Sequence, residues 1–422
     1  MVTYNQFTVK NGLRVLIHED HSTPMAVLNL LYDVGARDEA PDQTGFAHLF
    51  EHLMFGGSVN IPQFDLPLQR VGGESNAFTT NDLTNYYMTL PAINLETAFW
   101  LESDRMLSLA FSEKSLETQR QVVCEEFKQR YLNQPYGDVW LKLRPLAYKK
   151  HPYQWATIGK ELAHIEQATM DQVKTFFKKH YTPQNAIMVV AGDVHTDEIK
   201  ALTEKWFADI PAGEKYHRAI TPEPKQTKAR REIVEADVPV NSIYIAFHMG
   251  DRRSKQYYIG DLISDILSRG KSSRLYRRLI KEQLLFSEIN AYLTGSIDNG
   301  LFILEGKPLP HVTPEQAEEA IWDQLIDLQR FPVSDYELEK VKNKIESTMV
   351  FAELSILDKA MNLAYFELLG NADWLNQEIG TYLKIDASAI QEAATALFQK
   401  ENSSTLLYLA KTNDGTNNST NI

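Results

Sequence analysis

One pattern occurs twice in this chain. Leu28 to Gly35 is an apolar run closed by a glycine, and a loop and an apolar helical stretch, Gly45 to Phe55, follow it. Ile243 to Gly250 repeats the run and the glycine 215 residues later, again before a loop and a helical stretch, Tyr257 to Leu267. Each half also closes on a short apolar or β-branched run, Ala186–Ala191 and Thr405–Ala410. A period this long describes two similar domains, because solenoid repeats are far shorter. The 422 residues are enough for two domains of about 200 residues each.

The runs between the repeats support the same architecture. Val9 to Ile17 places Asn11-Gly12 between two apolar segments, which predicts a tight hairpin. Ala26 to Val34 reads as a strand, and Leu95–Leu109 and Ser115–Tyr131 carry apolar residues at helical spacing. The fold class expected is α+β, with two homologous domains, each a largely antiparallel sheet packed with helices. From Pro211 the character changes to proline and charge. The expected division is therefore 1–212, a linker at 213–231, a second domain at 232–412, and a polar tail at 413–422.

Charge narrows the function. Lys and Arg number 43 against 56 Asp and Glu, a net charge of -13. Such a chain lacks the basic footprint that nucleic acid or an anionic membrane surface requires. Its one cysteine, Cys124, excludes an internal disulfide and a cysteine-built zinc cage. No apolar stretch reaches the length of a membrane span. Met1 to Phe7 lacks the basic and apolar regions of a signal peptide, so the compartment expected is the cytoplasm, or the periplasm for a chain whose signal peptide has been removed.

The chemistry concentrates in His48-Leu49-Phe50-Glu51-His52. On a helix, His48, Glu51 and His52 share one face. Two imidazoles one turn apart can hold a zinc ion, and a neighbouring carboxylate can take a proton from water there. Gly45, Phe46, Leu49, Phe50, Leu53 and Phe55 make the same helix strongly apolar, and burying three such polar groups with no metal is costly. The spacing is the inverted form of His-Glu-x-x-His. A third ligand is expected in Arg120 to Phe127. Val122, Val123, Glu126 and Phe127 lie toward one side of that helix, which favours Glu126 over Glu125 without deciding between them.

These residues together resemble the pitrilysin or insulinase family of zinc peptidases, which includes the mitochondrial processing peptidase subunits. The resemblance spans essentially the whole chain. It rests on the His-x-x-Glu-His helix, on Arg120-x-x-Val123-x-x-Glu126 beyond it, on Gly35-Ala36-Arg37-Asp38-Glu39, and on Gly73 to Thr79 with Asp82-x-Thr84-x-Tyr86-Tyr87. His151-Pro152-Tyr153 and Tyr181-Thr182-Pro183-x-Asn185 complete it. It implies zinc held by His48, His52 and Glu126, with Glu51 as general base. It also implies that Asn76, Ala77, Phe78 and Thr79 form an edge strand on which an extended peptide substrate adds.

The chain departs from the family in two places. The family often carries a Glu seven residues before the ligand, and here the supporting position holds Gln119. Self-sufficient members carry an Arg and, seven residues later, a Tyr in the second half. The matching positions here read Leu279 and Phe286, and neither side chain can donate to an oxyanion. The resemblance then implies a heterodimer with a homologous zinc-less subunit, ahead of a homodimer in which Arg274, Tyr276, Arg277 or Arg278 substitutes. A non-catalytic assembly subunit is the rival reading, and the intact His48–Glu51–His52 set argues against it. Gly270-Lys271-Ser272 lacks the earlier glycine of a phosphate loop. His18 and His21, beside a turn, read as solvated, and Cys124 as a small core residue.

Overall fold

The computed structural model describes residues 1–411, so the tail expected at 413–422 lies outside the described residues. The chain forms two compact units. The first contains Met1–Arg130, Tyr148–Pro224 and Lys342–Lys384; the second contains Tyr131–Ala147, Lys225–Val341 and the chain from Ile385.

The first unit is built on a six-stranded sheet of β1 (Asn5–Thr8), β2 (Arg14–Glu19), β3 (Met25–Tyr32), β4 (Glu74–Thr79), β5 (Thr84–Pro91) and β6 (Ala186–Gly192), in the order β1-β2-β6-β3-β5-β4. Only β2 and β6 pair in parallel. The hairpin expected at Asn11-Gly12 is present, with Gly12 at φ 91°, where a side chain would be strained. Central strands β3 and β6 are apolar and buried along nearly their whole length, as strands covered on both faces must be.

The second unit holds β7 (Arg230–Ala236), β8 (Ser242–His248), β9 (Phe286–Leu293), β10 (Leu301–Pro308) and β11 (Ser403–Ala410), in the order β7-β11-β8-β10-β9. Its one parallel pair is β7 with β11. Strand for strand this reproduces β2-β6-β3-β5-β4, with the parallel pair in the same place. The sequence repeat is thus a repeat of topology, and β1 is an addition to the first copy.

The two units are not two contiguous stretches of chain. The Ile356–Leu369 helix, from late in the sequence, belongs to the first unit. Its Ala360, Leu363 and Ala364 are buried in one cluster with Leu16 of β2, Val27 and Leu31 of β3, and Ile187 and Val189 of β6. That face of the first sheet needs a cover, and this helix supplies it. The segment read as a linker also does more than connect. Arg218 donates to the carboxylates of Asp33 (2.8 Å) and Asp38 (2.6 Å) within the first unit, and Arg230 onward is already strand β7.

Leu279 and Phe286, the positions read from sequence as lacking oxyanion donors, are both fully buried in the second unit. Arg277 and Arg278, on the same turn, are exposed, while Arg274 is engaged by Glu337. No helix among the described residues is long and apolar enough to cross a membrane.

Candidate active site

The His-x-x-Glu-His stretch forms the helix Phe46–Leu53. Its N-terminus turns at Gly45, with φ 88°, and a Cβ there would stand 2.6 Å from the Ile158 carbonyl oxygen, so only glycine fits. The buried Glu39 carboxylate accepts from the Gly45 and Ala47 amides, both at 2.9 Å, and so anchors the free end of the helix. Phe46, Ala47, Leu49, Phe50 and Leu53 are buried on one side. That burial fixes the rotation of the helix and leaves His48, Glu51 and His52 on the other side. The family-like stretches converge around it: Arg37 pairs with Asp82 at 3.0 Å, the Tyr153 hydroxyl donates to Asp82, and Trp155 Nε1 donates to the Ala36 carbonyl at 2.8 Å.

The imidazole rings of His48 and His52 stand 4.9 Å apart and nearly perpendicular, at 83°. The helix Glu113–Phe127 brings Glu126 to them, with Oε2 3.7 Å from His48 Nε2 and 3.4 Å from His52 Nε2. One donor atom from each of the three lies within 4.8 Å of the others. Glu125 points away and is bound to Lys128 at 2.7 Å. Val123 and Phe127 are buried beside Glu126, but Val122, expected on the same side, is exposed.

The three donors fit a zinc ion. Ligands at about 2.0–2.1 Å in a tetrahedron stand about 3.3 Å from one another, close to the two Glu126 separations. Burial lowers the His48 imidazole to about 4, which keeps it neutral near neutral pH with a lone pair to offer. The buried Nδ1 of His48 finds no partner in the structure, while Nε2 faces Glu126. The hydrogen bond from His52, with help from His48 and Arg130, holds the Glu126 carboxyl below its ordinary range. Arg130 Nη1, one turn on, binds the other Glu126 oxygen at 2.9 Å.

Glu51 is half-buried between this cluster and the sheet. Burial raises its carboxyl above the ordinary value, and a hydrogen bond from Thr79 partly opposes that. Thr79 ends β4, whose register with β5 places Asn76 opposite Tyr87, Ala77 opposite Tyr86 and Phe78 opposite Asn85. β4 is the outermost strand on its side of the sheet, so its far edge carries unpaired backbone groups. Asn76 and Phe78 are exposed, whereas Ala77 and Thr79 turn inward toward the helix. Gln119 is half-buried on the Glu126 helix, two turns earlier on the same face. The role of Glu39 and the Thr79–Glu51 bond are not legible from residue spacing, whereas the Glu126–Arg130 pair is the i, i+4 ion pair that the spacing allows. A cavity of about 1210 Å³ in the same unit is separate from this site: Arg37, Lys178 and Tyr216 line it, and His48, Glu51, His52 and Glu126 do not.

Comparison with known proteins places the chain in a family. Residues 14–159 match the model of the insulinase family, peptidase family M16, and residues 167–345 match the peptidase M16 inactive domain. The zinc protease PqqE of Helicobacter pylori is 30% identical over 414 residues, covering 96% of this chain and 92% of that protein. A protease structure from Helicobacter pylori superposes with a TM-score of 0.91 at 29% identity, covering 97% of this chain and 100% of the other. The Escherichia coli periplasmic protease PqqL shares the fold, with a TM-score of 0.79 at 19% identity, over 96% of this chain but 47% of its own length. The first-half motif, the duplicated topology and these matches together make the chain a member of the insulinase family of peptidases, family M16.

Proposed function

We propose that the chain is a zinc-dependent endopeptidase that hydrolyses short or unfolded peptides. The observation that carries this reading is the meeting of four groups at one place: the donors of His48, His52 and Glu126, and the carboxylate of Glu51 beside them on the same helix face. Those three residues would hold the metal. Zinc, when bound, supplies Lewis-acid chemistry to water and to a carbonyl. Glu51 takes the proton from the attacking water at the oxygen that Thr79 leaves free, and returns it to the leaving amine. The open edge of β4 binds the peptide backbone as an added strand, with Asn76 and Ala77 nearest the scissile bond and Phe78 and Thr79 extending the contact. Gln119 supports the Glu126 helix face with a hydrogen-bonding amide and no charge.

The working form of the enzyme is a chamber closed by a second half-length subunit, a homologous zinc-less chain before a second copy of this one. The Escherichia coli periplasmic protease PqqL, which carries this fold within about half its length, supports a paired arrangement. Leu279 and Phe286, buried and apolar, offer no donor to an oxyanion, which supports a site completed by a second subunit. Exposed Arg277 and Arg278 are the donors that a homodimer would use instead.

The experiment is cleavage of quenched peptides by the purified chain, with and without a chelator, beside Glu51→Gln. The expected result is chelator-sensitive cleavage that Glu51→Gln abolishes while zinc stays bound. Unchanged cleavage in Glu51→Gln would overturn the mechanism. Zinc binding without cleavage by the chain alone, followed by cleavage once a homologous subunit is added, would establish the heterodimer.

A further inference from the structure

Four polar side chains converge at another place in the first unit. Glu19 ends β2 and His21 lies in the turn after it, while Asp193 and His195 follow the end of β6. β2 and β6 run parallel, with Glu19 opposite Gly192, so the two chain segments leave the sheet side by side. Glu19, His21 and His195 each bring one donor atom to within 4.8 Å of the others. His18, read from sequence as a solvated neighbour, is instead buried against the Thr3 carbonyl, whereas His21 is exposed as expected.

Two of the donors, His21 and Glu19, already face each other. Asp193 Oδ1 lies 2.6 Å from His21 Nδ1, so that nitrogen carries the proton and donates it to the carboxylate. This leaves the Nε2 lone pair of His21 open, 3.9 Å from Glu19 Oε2. The other oxygen of Glu19 is occupied by Thr196, whose backbone N–H and hydroxyl donate at 2.7 and 2.5 Å. His195 precedes the helix Thr196–Phe207 and makes no capping bond, and its ring stands 5.0 Å from that of His21 at 42°. A carboxylate fixing one imidazole nitrogen so that the other faces a shared point is how proteins orient metal-binding histidines. All three donors are on the surface, so a small side-chain rotation closes the spacing to that of a common ion and water fills the remaining positions.

We propose that Glu19, His21 and His195 form a second metal site for a divalent ion of the zinc class, with Asp193 orienting His21. The site clips the turn after β2 to the start of the Thr196–Phe207 helix, and it does not depend on the His48 cluster being catalytic. Zinc titration of the metal-free full chain by calorimetry tests it. Two equivalents are expected, and His21→Ala with His195→Ala removes the weaker one while leaving the tighter one unchanged. Asp193→Ala weakens the same equivalent by about 10–100-fold. His48→Ala with His52→Ala keeps it, and zinc then still raises the thermal midpoint. The proposal is overturned if the His48→Ala, His52→Ala chain binds no zinc, or if the His21 and His195 changes leave every wild-type equivalent in place.

Discussion

Thr79 Oγ1 donates to Glu51 Oε2 across 2.6 Å, so the inward face of the edge strand holds the carboxylate that the histidine helix presents. Strand and helix are thereby set relative to each other at one atom pair. A peptide added to the open edge of β4 is placed against a base whose direction that same strand fixes.

Thr79→Val removes the hydroxyl and keeps the shape. A hydrogen bond to a charged group contributes about 1.5–3 kcal/mol, so kcat is expected to fall about 10–100-fold with little change in KM. The Thr79 bond lowers the Glu51 carboxyl against the rise from burial. Its loss moves the acid limb of the rate profile to higher pH, because a base must be deprotonated to act. Thr79→Ser should restore both the rate and the profile, and zinc content should not change in either variant. An unaltered acid limb in Thr79→Val would show that the hydroxyl does not position Glu51.

Glu126→Gln and Glu125→Gln separate the two carboxylates that helical periodicity alone left open. Glu126 lies against both histidines, whereas Glu125 is an exposed partner of Lys128. Zinc content measured after dialysis should fall sharply in Glu126→Gln and stay at the wild-type level in Glu125→Gln. The reverse order would move the third donor to Glu125.

The helix that carries the histidines was legible because its apolar residues recur at helical spacing, and the observed Phe46–Leu53 falls inside the expected Gly45–Phe55. The strands of the repeat were legible from a different signal, since β3, β6 and β8 are nearly unbroken apolar runs and β11 is apolar from Leu406 onward. Partnership over distance was not. The apolar stripe of Ile356–Leu369 shows that the helix needs a cover but not which sheet provides it, so the first unit draws in a late segment that contiguous domains exclude. Thr79 was placed on the edge strand, yet its bond to Glu51 depends on how β4 and the helix meet, and no spacing along the chain encodes that.

Glu102 and Arg105 form a fully buried ion pair beneath the sheet, with Arg105 Nε 2.7 Å from the carboxylate. The guanidinium also sits 4.4 Å from the Phe64 ring centre and 4.5 Å from that of Tyr86. Arg105→Met leaves a buried carboxylate alone, and about 3–5 kcal/mol of stability should be lost in urea unfolding. Adding Glu102→Leu removes the orphaned charge, and the double variant should recover most of that loss. A double variant no more stable than Arg105→Met would mean that the aromatic contacts of Arg105, and not the unpaired charge, dominate.

Glu337 gives a pH test in the second unit. Arg274 binds its two carboxylate oxygens at 2.9 and 3.0 Å, and Ser334 donates to it as well. Chiefly through Arg274, the carboxyl is lowered from 4.5 to about 2. A depressed folded-state value stabilises the protein above the unfolded value, and that contribution is lost as pH falls through the folded one. The pair is partly open to solvent, so screening reduces its contribution to about 1 kcal/mol. Thermal midpoints of wild type and Glu337→Gln should therefore differ by a constant amount from neutral pH down to about 4.5, then converge toward pH 2. The variant should be the less stable of the two throughout the upper range. A gap that persists unchanged at pH 2 would assign the effect to packing of the side chain and not to its charge.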